Sequence, residues 1–147
     1  MLPAQEARRR FAAARVARLA TVDGQGHPHI VPVTFAVDGD HIYSAVDAKP
    51  KTTTRLRRLR NIAAHPGVAV LADHYDDNWD RLWWVRADGR AAVLTQADEK
   101  AEPLHLLAER YPQYQVDPPD GPVIRIVVER WTGWSAGTPR SRAEGES

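Results

Sequence analysis

The fold is decided by residues 18–33, whose sequence is RLATVDGQGHPHIVPV. Apolar side chains precede a cluster of turn formers, Asp23 to Pro28, and an apolar run resumes at Ile30. Aspartate, glycine and proline between two apolar runs are typical of a turn that joins two strands. The segment therefore predicts two strands, and the second is expected to continue through Phe35 to Val37.

The chain beyond this segment continues as a meander. Asp38-Gly39 is a strong hairpin signal, and the sequence HIYSAV at 41–46 predicts a third strand after it. In the last predicted strand, Ile124, Ile126 and Val128 alternate with residues on the opposite face. The three later strands are expected at 68–72, at 82–94 with a bulge or bend at Asp88-Gly89, and at 123–131.

Helical periodicity appears in three places. Residues 4–14 are rich in alanine and arginine, and a second, basic helix follows Thr52 and ends before Pro66-Gly67. A third helix is expected between Thr95, which forms a possible capping box with Asp98, and Pro112. Six strands and about three flanking helices predict a mainly β, α+β fold, an antiparallel barrel that is closed or nearly closed. We expect one domain over 1–136 and a flexible tail over 137–147.

Composition excludes several classes of function. The chain has 147 residues, with 20 Lys plus Arg against 19 Asp plus Glu, so its formal charge is +1 and wholesale nucleic-acid binding is not expected. It has no cysteine, which excludes disulfides and thiolate chemistry. No apolar stretch approaches the ~18 residues of a membrane span, so we expect a cytoplasmic protein without a membrane partner.

A basic segment between the third strand and the second helix is the main candidate binding site. Lys49, Lys51 and Thr52 lie there, followed by Arg55. Unpaired N–H groups at a helix start attract anions, and lysines near them are unfavourable unless an anion is bound. The segment therefore predicts a pocket for a phosphate or carboxylate. The alternative is a surface turn with solvated lysines.

Other chemistry finds little support in the sequence. The six histidines do not have metal-ligand spacing, and the aspartates around His74 fit a polar, salt-bridged loop better than a calcium loop, so no metal site is predicted. Motifs of hydrolases, nucleotidases and Rossmann proteins are absent, and no catalytic acid, base or nucleophile is identified. Five tryptophans exceed what a core of this size buries, which favours a ligand ring or a partner surface.

The chain resembles the pyridoxamine 5'-phosphate oxidase-like split β-barrel superfamily, FMN-binding split-barrel type, and within it the F-420-dependent oxidoreductases. The motifs occur in the family's order and spacing over residues 5–135. They are RLATVD at 18–23, GHPHIVPV at 26–33, IYS at 42–44, KPKT at 49–52, LRNI at 59–62 and WDRLWWVR at 79–86.

The resemblance implies a homodimer with two cofactor sites in clefts shared by the subunits. By resemblance, Lys49, Lys51 and Thr52 hold the phosphate and acidic tail of the cofactor, which agrees with the anion pocket, and Arg55 adds positive charge beside them. Val33, Thr34 and Ser44 line the ring. Trp79 closes the site from the other subunit.

The implied activity is hydride transfer from reduced coenzyme F-420, a deazaflavin, to an electron-poor small molecule. Such a cofactor carries the hydride, so the protein orients the reactants and excludes water. Related proteins on this barrel use FMN, haem or tetrapyrroles, and fold alone does not choose between them. An FMN-dependent oxidoreductase or oxidase and a non-catalytic cofactor or tetrapyrrole carrier therefore stay open as alternatives.

Overall fold

A computed structural model describes residues 1–46 and 53–137, and residues 53–56 only in their backbone. The helices are α1 (Ala4–Ala13), α2 (Thr53–Ala64), α3 (Ala97–Arg110) and α4 (Gln113–Val116), with a 3-10 turn at Trp79–Arg81. The strands are β1 (Ala17–Val22), β2 (Pro28–Val33), β3 (Ala36–Asp38), β4 (His41–Ala45), β5 (Gly67–His74), β6 (Trp83–Leu94) and β7 (Val123–Ser135).

The strands form one antiparallel sheet in the order β2-β1-β5-β6-β7-β4-β3. The first two strands pair around the predicted turn, with Ala20 opposite Ile30. Helix α1 packs on β6 and β7, α2 on β1 and β6, and α3 on β3 and β4. The α+β, antiparallel architecture predicted from the sequence is confirmed.

The predicted count of six strands is wrong among the described residues, because the second strand divides into β2 and β3. Thr34 and Phe35 separate these two strands. The Ser44 hydroxyl donates to the Thr34 carbonyl, and the Tyr111 hydroxyl accepts from the Phe35 N–H. Side chains thus take the place of ladder bonds, and the strand stops where they do so.

Two further differences concern α4 and the end of β7. Helix α4 is a single turn after Pro112 that the sequence did not predict. Strand β7 continues past the expected end at Trp131, to Ser135, because Gly133 stays in the ladder opposite Val85. Leu2 and Ala7 approach this glycine closely, and Leu2 donates its N–H to the Gly133 carbonyl.

The predicted bulge at Asp88-Gly89 is confirmed. Asp88 lies opposite Arg130 and Gly89 lies opposite Val128, so Glu129 is the extra residue of β7. The extra residue changes which side chains face inward: Ile126 and Val128 do so before it, and Trp131 and Gly133 after it. Ile124, Ile126 and Val128, which the alternation places on one face of the strand, are all buried.

One core fills the space between the sheet and α1. Phe11 of α1 is fully buried, and its ring centroid lies 4.8 Å from that of Phe35 and 5.4 Å from that of Trp131. A smaller cluster lies under α3, around Ala36, Leu107 and Tyr111. This second cluster positions the C-terminal end of α3 beside Phe35.

Helix α3 begins at Ala97, and the predicted capping pair Thr95 and Asp98 is wrong by one residue. Gln96 precedes the helix, and its N–H donates to a Glu99 carboxylate oxygen, 3.4 Å away. The reciprocal bonds of a capping box need two residues three positions apart. Gln96 and Glu99 have this spacing, as the predicted pair does. Among residues 1–46 and 53–137, no helix has the length and apolar character of a membrane span.

Strand β2 lies at one end of the sheet order and pairs with β1. It contains two prolines, Pro28 and Pro32, with Ile30 between them. Proline has no backbone N–H. In a strand that is paired on one side, it fits at positions where a backbone N–H would face away from the neighbouring strand. Residues 28, 30 and 32 share this direction because strand residues alternate.

Candidate functional site

The three predicted ring-lining residues lie together, Val33 at the end of β2, Thr34 directly after it and Ser44 on β4. Val33 and Ser44 are 7% and 3% exposed. Ser44 Oγ donates to the carbonyl oxygen of Thr34 over 2.8 Å, which ties β4 to the segment between β2 and β3. We name Thr34 and Phe35 the Thr34 corner. The predicted grouping of Val33, Thr34 and Ser44 is thus present in the chain.

The backbone of the Thr34 corner is also held from α3. Tyr111 Oη accepts from the Phe35 N–H at 3.1 Å and lies 3.0 Å from the carbonyl oxygens of both Phe35 and Arg15. A phenol has one proton, so it serves one of these carbonyls at a time. Arg110 donates to the Phe35 carbonyl over 2.9 Å.

The Arg110 side chain combines several roles at this point. Its guanidinium also donates to the Ala14 carbonyl and lies 5.0 Å from the centroid of the Phe35 ring and 5.3 Å from that of Tyr111. Burial lowers its pKa. Helix α3, the segment after α1 and the Thr34 corner are therefore joined through one side chain.

Tyr114 is a site residue that the sequence analysis missed. Its hydroxyl lies 2.9 Å from Thr34 Oγ1, and its ring meets that of Tyr111 edge-on with centroids 5.7 Å apart. Helix α4 presents it, and the Gln115 side chain donates to the Ala108 carbonyl of α3. Two tyrosines three residues apart, with Pro112 between them, were the signal in the sequence.

The predicted anion-binding residues Lys49, Lys51 and Thr52 lie outside the described residues, and so does the side chain of Arg55. The described elements fix their place along the chain. Ser44 is the penultimate residue of β4, and α2 begins at Thr53. The basic segment of the sequence therefore connects the strand that holds the Thr34 corner with α2.

A second basic feature lies where β2 passes α2. His29 Nδ1 is buried and has no hydrogen-bond partner among the described residues. Burial lowers the pKa of His29 first, and the positive charges of Arg57 and Arg58 lower it further. On the neighbouring strand, the buried Thr21 accepts a 3.0 Å hydrogen bond from the Asn61 amide of α2. This part of α2 is thus joined to the sheet by polar contacts.

Trp79 lies on the 3-10 turn between β5 and β6 and is 67% exposed. Its indole N–H is 3.4 Å from the hydroxyl of Tyr75, which is equally exposed. Among the described residues, no hydrogen bond or ring contact joins Trp79 to the Thr34 corner within the chain. The structure therefore does not bring Trp79 together with the predicted ring-lining residues of the same subunit.

The candidate site is built from apolar and hydroxyl groups. Residues 1–46 and 53–137 contain no group of three or more His, Asp or Glu side chains with the geometry of a metal site. The buried apolar residue Val33 precedes the Thr34 corner, and Thr34 and Ser44 add two hydroxyls. Apolar walls with a few fixed polar groups are typical of pockets for flat organic cofactors.

Comparison with known proteins agrees with the fold and identifies the family. The family model described as pyridoxamine 5'-phosphate oxidase matches residues 3–135. A solved FAD-binding protein from Mesorhizobium loti is 24% identical with a TM-score of 0.71, and the match covers 90% of this chain and 94% of that one. A heme storage protein from Vibrio cholerae is 15% identical with a TM-score of 0.69, with 91% and 95% covered. These two likenesses show the fold alone.

A shorter similarity links the chain to an enzyme of Streptomyces rimosus, the 5a,11a-dehydrotetracycline/5a,11a-dehydrooxytetracycline reductase. The two are 38% identical over 56 residues, which is 38% of each protein. The match therefore spans well under half of that reductase. Because the family model covers residues 3–135 and the fold agrees with it, the chain belongs to the pyridoxamine 5'-phosphate oxidase family.

Proposed function

We propose that this protein is an F-420-dependent oxidoreductase that delivers a hydride to an electron-poor small molecule. The observation that carries the proposal is the 2.8 Å bond from Ser44 to the Thr34 carbonyl. This bond joins two hydroxyl-bearing residues near the end of β4. The sequence that follows, up to α2, contains Lys49, Lys51 and Thr52.

The proposed division of the site follows from this adjacency. Val33, Thr34 and Ser44 would line the uncharged ring, and Lys49, Lys51, Thr52 and Arg55 would bind the anionic end. FMN carries one phosphate, whereas F-420 also carries an acidic tail. The number of positive side chains in one short segment therefore favours F-420 over FMN.

Reduced F-420, when bound, supplies the hydride, so the chain's own residues need not form a covalent bond. Their proposed work is to fix the ring through the Thr34 corner and to keep water away from its face. The hydroxyls of Thr34 and Ser44 already have partners within the protein. Neither is therefore assigned as the acid or base of the reaction.

The relative from Streptomyces rimosus supports the direction of the reaction. It is named as a reductase of dehydro compounds, which take up two hydrogen atoms when they are reduced. An electron-poor double bond is an acceptor of this kind. We therefore propose enones, quinones and nitroaromatics as the panel in which to look for a substrate.

An FMN-dependent oxidoreductase or oxidase is the second candidate, favoured by the likeness to the FAD-binding protein from Mesorhizobium loti. A non-catalytic carrier is the third, favoured by the likeness to the heme storage protein. All three would bind a conjugated ring system on the same barrel. They differ in the ligand that binds and in whether it turns over.

Equilibrium titration of the purified apoprotein separates the candidates. The proposal expects F-420 to bind at micromolar concentration or below, with weaker binding of FMN and of haem. Binding of FMN without F-420 would overturn it in favour of the second candidate. Reduced F-420 should then be oxidised when an acceptor from the panel is added. A coenzyme that binds tightly but is not oxidised by any acceptor would favour the third candidate, the non-catalytic carrier.

We further propose that the protein works as a homodimer and that Trp79 closes the site of the partner. The face of the sheet opposite the buried core side chains carries several apolar residues among its charged ones. Cross-strand pairs place Ile30 beside Ala20, and Trp84 beside Trp134, on that face. Ile30 is 64% exposed and Trp134 is 37% exposed. A second copy of the chain would cover this surface.

Sedimentation of the protein tests the dimer directly. A dimeric wild type and a monomeric Ile30→Glu variant are expected, since an unpaired charge within a dimer interface is unfavourable. An Ala101→Glu variant, which places the same side chain at an exposed position of α3, is the matched control. A monomeric wild type at micromolar concentration would overturn the proposal.

A further inference from the structure

We infer that Tyr114 is a positioning residue of the coenzyme site that acts through Thr34. The inference deepens the proposed function and rests on it, because it concerns the ring that the Thr34 corner would line. Tyr114 itself is not placed in contact with the coenzyme. Its proposed role is to fix the rotamer and the hydrogen-bond direction of the Thr34 hydroxyl.

The backbone of the Thr34 corner is already fixed without Tyr114. Ser44 donates to the Thr34 carbonyl, while Tyr111 and Arg110 hold the N–H and carbonyl of Phe35. Removal of one more hydrogen bond would leave these contacts in place. The backbone therefore does not depend on the hydroxyl of Tyr114.

The side chain of Thr34 is different. Its hydroxyl has one described hydrogen bond, the 2.9 Å contact with Tyr114 Oη. Thr34 is half-buried, and a threonine hydroxyl can rotate between staggered positions when nothing holds it. The bond to Tyr114 holds the Thr34 hydroxyl in one of these positions. If the hydroxyl donates to Tyr114, only its lone pairs are left for another partner; if it accepts, its proton is free to be donated.

The Tyr114 ring is itself held in place. It packs edge-on against Tyr111 with centroids 5.7 Å apart, and α4 is tied to α3 by the Gln115 side chain. The hydroxyl is therefore delivered by a ring whose position does not depend on Thr34. This is the arrangement expected of a support for a binding residue, because the supporting group must be more rigid than the group it directs.

The consequence concerns a hydrogen bond to the coenzyme ring. A ring oxygen or nitrogen lined by Thr34 would meet a hydroxyl already oriented by Tyr114. Loss of that orientation removes part of the advantage of a preorganised site. It should therefore weaken coenzyme binding and shift the absorption spectrum of the bound coenzyme.

The test compares Tyr114→Phe, Thr34→Val and the double variant. The change Tyr114→Phe keeps the ring that packs against Tyr111 and deletes only the hydroxyl. We expect about fivefold weaker binding of F-420 and a shifted absorption maximum of the bound coenzyme in Tyr114→Phe, the size of one neutral hydrogen bond. Thr34→Val should weaken binding by at least as much. The double variant should bind no more weakly than Thr34→Val alone, because Tyr114 acts through Thr34.

A purely structural role for Tyr114 gives a different pattern. It would lower the unfolding temperature of the apoprotein, while binding and spectrum, measured well below that temperature, would stay as in wild type. That result would overturn the inference, and so would additive effects of the two substitutions. The matched control is Tyr43→Phe, which deletes the phenol next to Ser44 along β4 on the other face of the strand and should leave binding and spectrum unchanged.

Failure of the proposed function would look different again. If the wild type binds FMN and not F-420, the proposed coenzyme is wrong, and the same comparison is made with FMN. The inference then predicts that Tyr114→Phe weakens FMN binding and shifts the spectrum of bound FMN. It also predicts that Tyr114→Phe has no further effect in the Thr34→Val background, and any other result would overturn it. If wild type binds neither coenzyme nor haem, both the function and the inference are overturned.

Discussion

A methyl group added to Gly89 would lie 2.3 Å from the carbonyl oxygen of Val127. The contact arises from the bulge, which brings the backbone of β7 over the glycine at the point where the register shifts. Backbone atoms cannot move aside as a flexible side chain can. Glycine is therefore required here by the close approach of the two strands.

The first prediction is that Gly89→Ala destabilises the protein by more than about 2 kcal/mol, because overpacking of this size must displace β7. Denaturant unfolding measures the difference. Gly67→Ala is the control: an added methyl there would meet no heavy atom within 4 Å, so a small effect is expected. Equal stability losses in the two variants would contradict the steric explanation.

The second prediction concerns the buried pair Thr21 and Asn61, which are 1% and 4% exposed. Thr21→Val leaves the Asn61 amide without its acceptor and should cost about 1–3 kcal/mol. The double variant Thr21→Val with Asn61→Leu removes both polar groups, so it should lose less than the sum of the single changes. A double-mutant cycle of unfolding free energies measures the coupling, and additivity would show that the 3.0 Å bond contributes nothing.

The third prediction is a pH dependence at the start of α1. Hydrogen bonds from Arg9 and Arg10 lower the pKa of Glu6 from its ordinary 4.5 to about 2. A carboxyl with a lowered folded-state pKa stabilises the fold above its unfolded pKa, and this contribution is lost as the pH falls towards the folded value.

Glu6→Gln should therefore be less stable than wild type at neutral pH, by a small amount because the group is near the surface. The difference should shrink as the pH falls from about 4.5 to about 2. Thermal unfolding across this range measures it. Asp77→Asn changes an exposed carboxyl in the loop before the 3-10 turn and should show a smaller, flatter difference from wild type.

The fourth prediction tests the basic segment. Lys51→Glu should weaken F-420 binding by more than tenfold, about 1.4 kcal/mol, because repulsion replaces a charge-assisted contact. Fluorescence titration measures it. Arg90→Glu makes the same change of charge on an exposed part of β6 and should have little effect. An affinity for Lys51→Glu equal to that of wild type would remove this segment from the site.

The fifth prediction concerns Trp79. Its side chain is 67% exposed, so Trp79→Ala should change the unfolding free energy by no more than about 0.5 kcal/mol. If the ring covers the partner's coenzyme, binding should weaken about three- to tenfold, the range measured for aromatic contacts. Trp79→Phe keeps an aromatic face and should lose less. Unchanged binding in Trp79→Ala would leave Trp79 without a role in the site.

The regular elements could be predicted from the sequence because each has a local signal. The turn at Asp23 to Pro28, the hairpin at Asp38-Gly39 and the bulge at Asp88-Gly89 depend on residues next to one another in the chain. The division of the second strand could not be predicted in this way. It depends on Ser44 and Tyr111, and the latter is 76 residues from its partner Phe35.

The candidate site shows the same limit. Val33, Thr34 and Ser44 were predicted through the family resemblance, and the structure brings them together. Tyr114 was missed because its link to Thr34 spans 80 residues and α4 is a single turn with little periodicity. Lys49, Lys51 and Thr52 stay predictions, because they lie outside the described residues.

The prolines of β2 oppose edge-to-edge pairing between copies of the protein at high concentration. At positions 28, 30 and 32 of β2, a backbone N–H would face away from β1. Positions 28 and 32 are prolines and have no N–H. An incoming strand would therefore find a single donor, at Ile30, where it needs a continuous row. This end of the sheet resists growth into fibrils, and replacement of Pro28 and Pro32 by threonine would create a surface on which cross-β polymers nucleate.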